Sequence, residues 1–164
     1  MVYDDLDASN SACGCNSDLA AEEGSAAEMG DGRTLGAANG RYRMEVQADG
    51  NLVVYHGNED IFSTGTSGQG SAPYTLTVQT DNNLVLYDSA QAALWSTGTG
   101  GQGAAPARLI MQKDGNLVLY DSTNLVIWNS ETSDGTDQGD INAQICPVKP
   151  STLHPQPSTL NPKP

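Results

Sequence analysis

Apolar and polar positions alternate along Arg41–Tyr55, RYRMEVQADGNLVVY. Two short runs rich in Val, Leu and Tyr flank a Gly-containing break, and this predicts a β-hairpin. Parity sets its loop. With Ala48-Asp49-Gly50 as a three-residue loop, Gln47 faces Asn51. Met44, Val46, Leu52 and Val54 then share one face, and Arg43, Glu45, Gln47, Asn51, Val53 and Tyr55 share the other. A two-residue loop would mix the faces, because a slip of one residue flips every side chain.

The pattern recurs. VQADGNLVVY (Val46–Tyr55), VQTDNNLVLY (Val78–Tyr87) and MQKDGNLVLY (Met111–Tyr120) are three copies of one unit. Gln47, Gln79 and Gln112 stand 32 and then 33 residues apart. The third loop position needs φ > 0. It holds Gly50, Asn82 and Gly115, the residue types that tolerate it best. The likeness extends through IFSTGTSGQG (Ile61–Gly70), LWSTGTGGQG (Leu94–Gly103) and, more loosely, IWNSETSDG (Ile127–Gly135). Such self-similarity marks one supersecondary unit used three times. Inner positions are Leu76, Val78, Leu84 and Leu86 in the second unit, and Leu109, Met111, Leu117 and Leu119 in the third. A third strand follows a turn at HGNED, DSAQA or DSTN and carries Phe62, Trp95 or Trp128 at one equivalent position. These aromatics are expected to meet as core on a central axis. Each small sheet is too narrow to be stable alone. Three of them, apolar faces inward, close into a three-sided prism with three similar outer faces.

Gln, Asp, Asn, Val and Tyr never change between copies, and all lie on the outer face or its loop. Core packing does not explain them, and β-propensity disfavours Asp and Asn. Turn chemistry accounts for Asp49 and Asn51, but not for Gln47 across the hairpin. The face offers a carboxylate, two amides, a phenol hydroxyl and a small apolar patch. That set suits a ligand with adjacent hydroxyls and a flat ring, as a sugar has.

The spacing Q-x-D-x-N-x-V-x-Y resembles the mannose-binding signature of the bulb-type (monocot, snowdrop-like) lectins. It is complete as Gln47, Asp49, Asn51, Val53, Tyr55; Gln79, Asp81, Asn83, Val85, Tyr87; and Gln112, Asp114, Asn116, Val118, Tyr120. The resemblance implies an all-β fold, a β-prism of three four-stranded antiparallel sheets with pseudo-threefold symmetry. It implies a non-catalytic lectin that binds mannose-containing glycans. Asp and Asn would hold the axial 2-hydroxyl, Gln the 3-hydroxyl and Tyr the 4-hydroxyl, while Val touches the ring. No metal or cofactor is implied. Family members commonly dimerise by exchanging C-terminal strands, so a homodimer is one implied assembly. The chain departs from the family pattern in having no Cys within the repeats and Phe62 in place of a Trp. Its opening strand AAEMGDGRTL is weakly patterned, and the tail after Trp128 is unusual. The competing reading is a β-prism scaffold with a protein–protein role, for example cytoskeletal.

Composition narrows the alternatives. A net charge of −13 opposes nucleic acid and anionic lipid as partners. The longest apolar runs fall far short of the roughly 20 residues of a membrane span. Identical carboxylates in every unit do not form the differentiated acid–base pair of a glycosidase. DGNLVVY fails as a calcium loop, since Val53 and Val54 stand where an oxygen ligand and a Gly belong. His56 and His154 have no partner pattern and are expected at the surface.

The repeats place a lectin domain at residues 29–133. Residues 1–28, acidic and rich in Ala, Gly and Ser, are expected to be disordered. So are residues 134–164, where STLHPQP and STLNPKP repeat a proline-rich heptad. The N-terminus has neither a basic start nor an apolar stretch, so no signal peptide is expected. That favours a cytoplasmic protein, or an extracellular one if the chain lacks its true beginning. Cys13, Cys15 and Cys146 lie outside the repeats. Cys-Gly-Cys lacks a second ligand pair for a metal, and free thiols are expected.

Overall fold

The computed structural model describes residues 18–20 and 24–135. These form twelve strands in three four-stranded sheets. The first sheet runs β3 (Thr34–Gly36), β4 (Tyr42–Val46), β5 (Leu52–His56), β6 (Glu59–Ser63). The second runs β2 (Ala27–Gly30), β7 (Thr75–Val78), β8 (Leu84–Tyr87), β9 (Ala93–Ser96). The third runs β1 (Asp18–Ala20), β10 (Arg108–Met111), β11 (Leu117–Tyr120), β12 (Val126–Asn129). Every pairing is antiparallel. This is the all-β prism that the repeats imply.

Parity holds in each hairpin. Val46 pairs with Leu52, Val78 with Leu84 and Met111 with Leu117. The amide of Gln47 donates to the Asn51 carbonyl at 2.8 Å, leaving a three-residue loop, and the other two hairpins close likewise. Gly50, Asn82 and Gly115 take φ of 89°, 73° and 88°. Met44, Val46, Leu52 and Val54 are fully buried, as are Leu76, Val78, Leu84 and Leu86, and Leu109, Met111, Leu117 and Leu119. Phe62, Trp95 and Trp128 meet edge to face, with ring centroids 5.6–6.4 Å apart. They are half-buried and pack against the core cluster.

The N-terminal boundary needs correction. Strands β1 and β2 begin before residue 29, within the segment expected to be disordered. Each of β1, β2 and β3 adds the fourth strand to a different sheet. Leu19 lies opposite Leu109, Met29 opposite Leu76 and Leu35 opposite Met44, three equivalent inner positions. A strand of three or four residues directs little more than one side chain inward, so no hydrophobic period shows in the sequence. The expectations for the remainder of 1–28, for residues 136–164 and for the cysteines concern residues outside those described.

The units interlock in a ring. A Cβ on Gly50 would lie 2.7 Å from the ring of Tyr74 in the next unit. One on Gly115 would lie 2.7 Å from the ring of Tyr42 in the first unit. The second loop carries Asn82 instead, and the residue at the matching place in the third unit is Ala107, fully buried. By the threefold relation Asn82 is expected to face Ala107, a larger loop residue set against a smaller partner. Close packing explains the exchange.

Candidate carbohydrate-binding sites

The outer face of each hairpin brings the repeated residues together. Gln47 Nε2 donates to Tyr55 Oη at 2.6 Å, Gln79 to Tyr87 at 2.6 Å and Gln112 to Tyr120 at 2.5 Å. This cross-strand bond fixes the phenol and leaves its proton free to donate onward. A β-bulge directly before each of these tyrosines shifts the register with the third strand. The extra residue lies on the third strand, at Ile61, Leu94 and Ile127, so that it and the aromatic after it both pack against the core.

Asp and Asn are half committed to the loop itself. Asp49 Oδ1 accepts from the Asn51 amide at 3.0 Å, Asp81 Oδ1 from Asn83 at 2.9 Å and Asp114 Oδ1 from Asn116 at 3.0 Å. Turn chemistry is therefore one role of these residues. The Asn carbonyl is also occupied. Asn51 Oδ1 accepts from Thr64 Oγ1 at 3.0 Å and from the Thr66 amide at 3.2 Å. Thr97 and Thr99 bracket Asn83 in the same way, and Ser130 and Thr132 bracket Asn116. These hydroxyl residues were not among the candidate site residues. Their recurrence after each aromatic was the signal that could have found them. They fix the amide orientation, so that each Nδ2 points away from the loop without a partner among the described residues. Val53, Val85 and Val118 are only 2–3 % exposed, less than an outer-face position suggests.

The three sets differ in exposure. Asp49 and Asp81 are exposed, and Gln47, Gln79, Tyr55 and Tyr87 are half-buried. In the third set Gln112 is 8 %, Asp114 3 % and Tyr120 2 % exposed. Ile110 stands there where the other units have Glu45 and Thr77, and it clusters with Val118 and Tyr120. Burial pushes the Tyr120 phenol above its ordinary pKa. The third set is thus the most buried of the three.

Electrostatics differ as well. The Ser67 hydroxyl, and then the Asn51 amide, hold the Asp49 carboxyl below the usual range. Arg43 lies 4.2 Å over the Tyr55 ring, while Thr75 fills that position in the second unit. Among the described residues no group of His, Cys, Asp or Glu could hold a metal ion.

Comparison with known proteins gives the same architecture. No family model matches the chain, and no curated protein does. Solved structures do. A monomeric monocot mannose-binding lectin from Gastrodia elata is 36% identical, with 71% of this chain and 98% of that one covered at a TM-score of 0.62. The mannose-specific agglutinin of snowdrop, Galanthus nivalis, solved with methyl α-D-mannoside, is 32% identical, with 75% and 99% covered at a TM-score of 0.56. A Marasmius oreades lectin is 30% identical, with 71% and 91% covered at a TM-score of 0.62. With its three-sheet prism, its complete repeats and these relatives, the chain belongs to the monocot mannose-binding, bulb-type lectin family.

Proposed function

We propose that this chain binds α-D-mannose units of glycans, without catalysis, through the Gln-Asp-Asn-Val-Tyr sets of its first two units. One observation carries the reading. In both open hairpins the same polar atoms are left facing outward: the Gln carbonyl oxygen, the Asn Nδ2 and the Tyr hydroxyl proton, beside an exposed carboxylate. Adjacent sugar hydroxyls each need a donor and an acceptor, and this array supplies both. The Gastrodia and snowdrop proteins are described as mannose-binding and mannose-specific, which supports the same ligand here.

Each site is shallow and wet. A monosaccharide should bind only at about millimolar Kd, because each hydrogen bond mainly replaces one to water. Two sites on one rigid domain engage a branched glycan together and can raise affinity by roughly 10²–10⁴. The test is retention on immobilised mannose and elution by free methyl α-mannoside. Wild type should be retained, while Asp49→Ala with Asp81→Ala should flow through with an unchanged circular dichroism spectrum. Equal retention of the double variant would remove the carboxylates from the binding role.

A further inference from the structure

The residue after the second hydroxyl of each unit is Ser67, Gly100 or Ser133. It decides what the motif carboxylate has left to offer. In every unit Oδ1 is spent on the loop amide, so Oδ2 is the oxygen available to a ligand. In the first unit Ser67 Oγ donates to Asp49 Oδ2 at 2.6 Å. In the third, Ser133 Oγ donates to Asp114 Oδ2 at 2.7 Å. In the second, Gly100 has no hydroxyl, and Asp81 Oδ2 accepts no hydrogen bond from any described residue.

We propose that Ser67 and Gly100 are specificity-determining residues that rank the two open sites, with the Gly100 site the stronger for a sugar hydroxyl that donates to the carboxylate. The proposal rests on the mannose reading above and adds an order among its sites. Hydrogen bonds to an ionised carboxylate are the strong ones in such an array. At Asp81 an incoming hydroxyl meets an uncommitted oxygen. At Asp49 it shares that oxygen with Ser67 or displaces it, and a short bond already made inside the protein is lost. The serine also stands beside the oxygen, narrowing the approach.

The geometry permits an exchange of the two residues. Gly100 does not have positive φ, unlike its neighbour Gly101 at 79°. A Cβ at Gly100 would lie 3.0 Å from Asp81 Oδ2, the far end of an exposed side chain, and the first unit already accommodates a serine at this place. The substitutions are therefore Gly100→Ser and Ser67→Gly.

The experiment is a titration of the full chain with methyl α-mannoside, following the Asn51 and Asn83 amides separately by NMR. Each amide donates to its own motif carboxylate, so each reports one site. In wild type the Asn83 signal should saturate at roughly three- to tenfold lower mannoside than Asn51, the loss expected for part of one charge-assisted bond. Ser67→Gly should bring Asn51 to the Asn83 midpoint. Gly100→Ser should move Asn83 to the Asn51 midpoint. Equal midpoints in wild type, the reverse order, or midpoints unmoved by Ser67→Gly overturn the ranking while leaving mannose binding intact. No saturable shift at either amide overturns the mannose reading itself, and the ranking with it. Should Gly100→Ser disturb folding, Ser67→Gly decides alone.

Discussion

The inner and outer faces of the prism diverge in opposite ways. Inside, the threefold repeat is obeyed in burial and register: Met44, Leu76 and Leu109 are fully buried, and each faces one residue of a fourth strand, Leu35, Met29 or Leu19. Outside, the five-residue signature is constant while its surroundings are not. Glu45, Thr77 and Ile110 share one position, and Ser67, Gly100 and Ser133 another. Four of the five residues of the third signature, Gln112, Asp114, Val118 and Tyr120, are buried although every letter is intact. Packing requires similar volume and burial three times, whereas the outer face tolerates independent change in each copy. An intact motif therefore does not fix its own exposure, which its neighbours set in each copy.

The comparison can be broken first from inside. Leu86→Ala should cost about 2–5 kcal/mol, because the closed prism cannot collapse around the lost volume. Chemical denaturation measures it, and a loss below about 1 kcal/mol would mean that the inner face is not tightly packed. The ring of interlocked loops gives the next effect. Ala107→Tyr should destabilise by about 1–3 kcal/mol through overpacking beside Asn82, and adding Asn82→Gly should restore most of it. Independent, additive effects would refute the exchange.

A smaller effect depends on pH. The Ala104 amide, then the Thr123 hydroxyl and the Leu125 amide, hold the Asp121 carboxyl well below its usual range. Its folded pKa is depressed, so its stabilisation is full above the unfolded value of about 3.9 and is lost as pH falls toward the folded value. Asp121→Asn should flatten the acid limb of the stability curve, and an unchanged limb would assign that limb to other groups. Smallest is Tyr87→Phe. It removes one outer hydrogen bond, from Gln79, and should change stability by no more than about 1 kcal/mol while weakening binding at the second site. A variant that unfolds would make the tyrosine structural.

Much of this fold was legible because long hairpins carry their period openly. Met44, Val46, Leu52 and Val54 alternate without exception, and Gly50 and Asn82 mark the loop. The short strands β1 and β2 were not legible, since Leu19 or Met29 alone makes no period and their order comes from pairing with distant strands. The signature residues were readable as a set. The bracket that Thr64 and Thr66 place on Asn51 was not, because hydroxyls that recur after each aromatic do not by themselves say which side chain across the sheet they reach. Nor was the closure of the third set, for Gln112, Asp114 and Tyr120 read as letters identical to their open counterparts.

The most direct test of the central claim compares two sugars on the wild-type chain. Methyl α-mannoside and methyl α-glucoside differ at the 2-hydroxyl, so NMR titration with each asks whether the outer hairpins read that group. The account predicts saturable shifts at the first and second loops with mannoside, much weaker shifts with glucoside, and none at the buried third loop. Absence of shifts at roughly tens of millimolar, where a millimolar site would be filled, or equal response to both sugars, would contradict it.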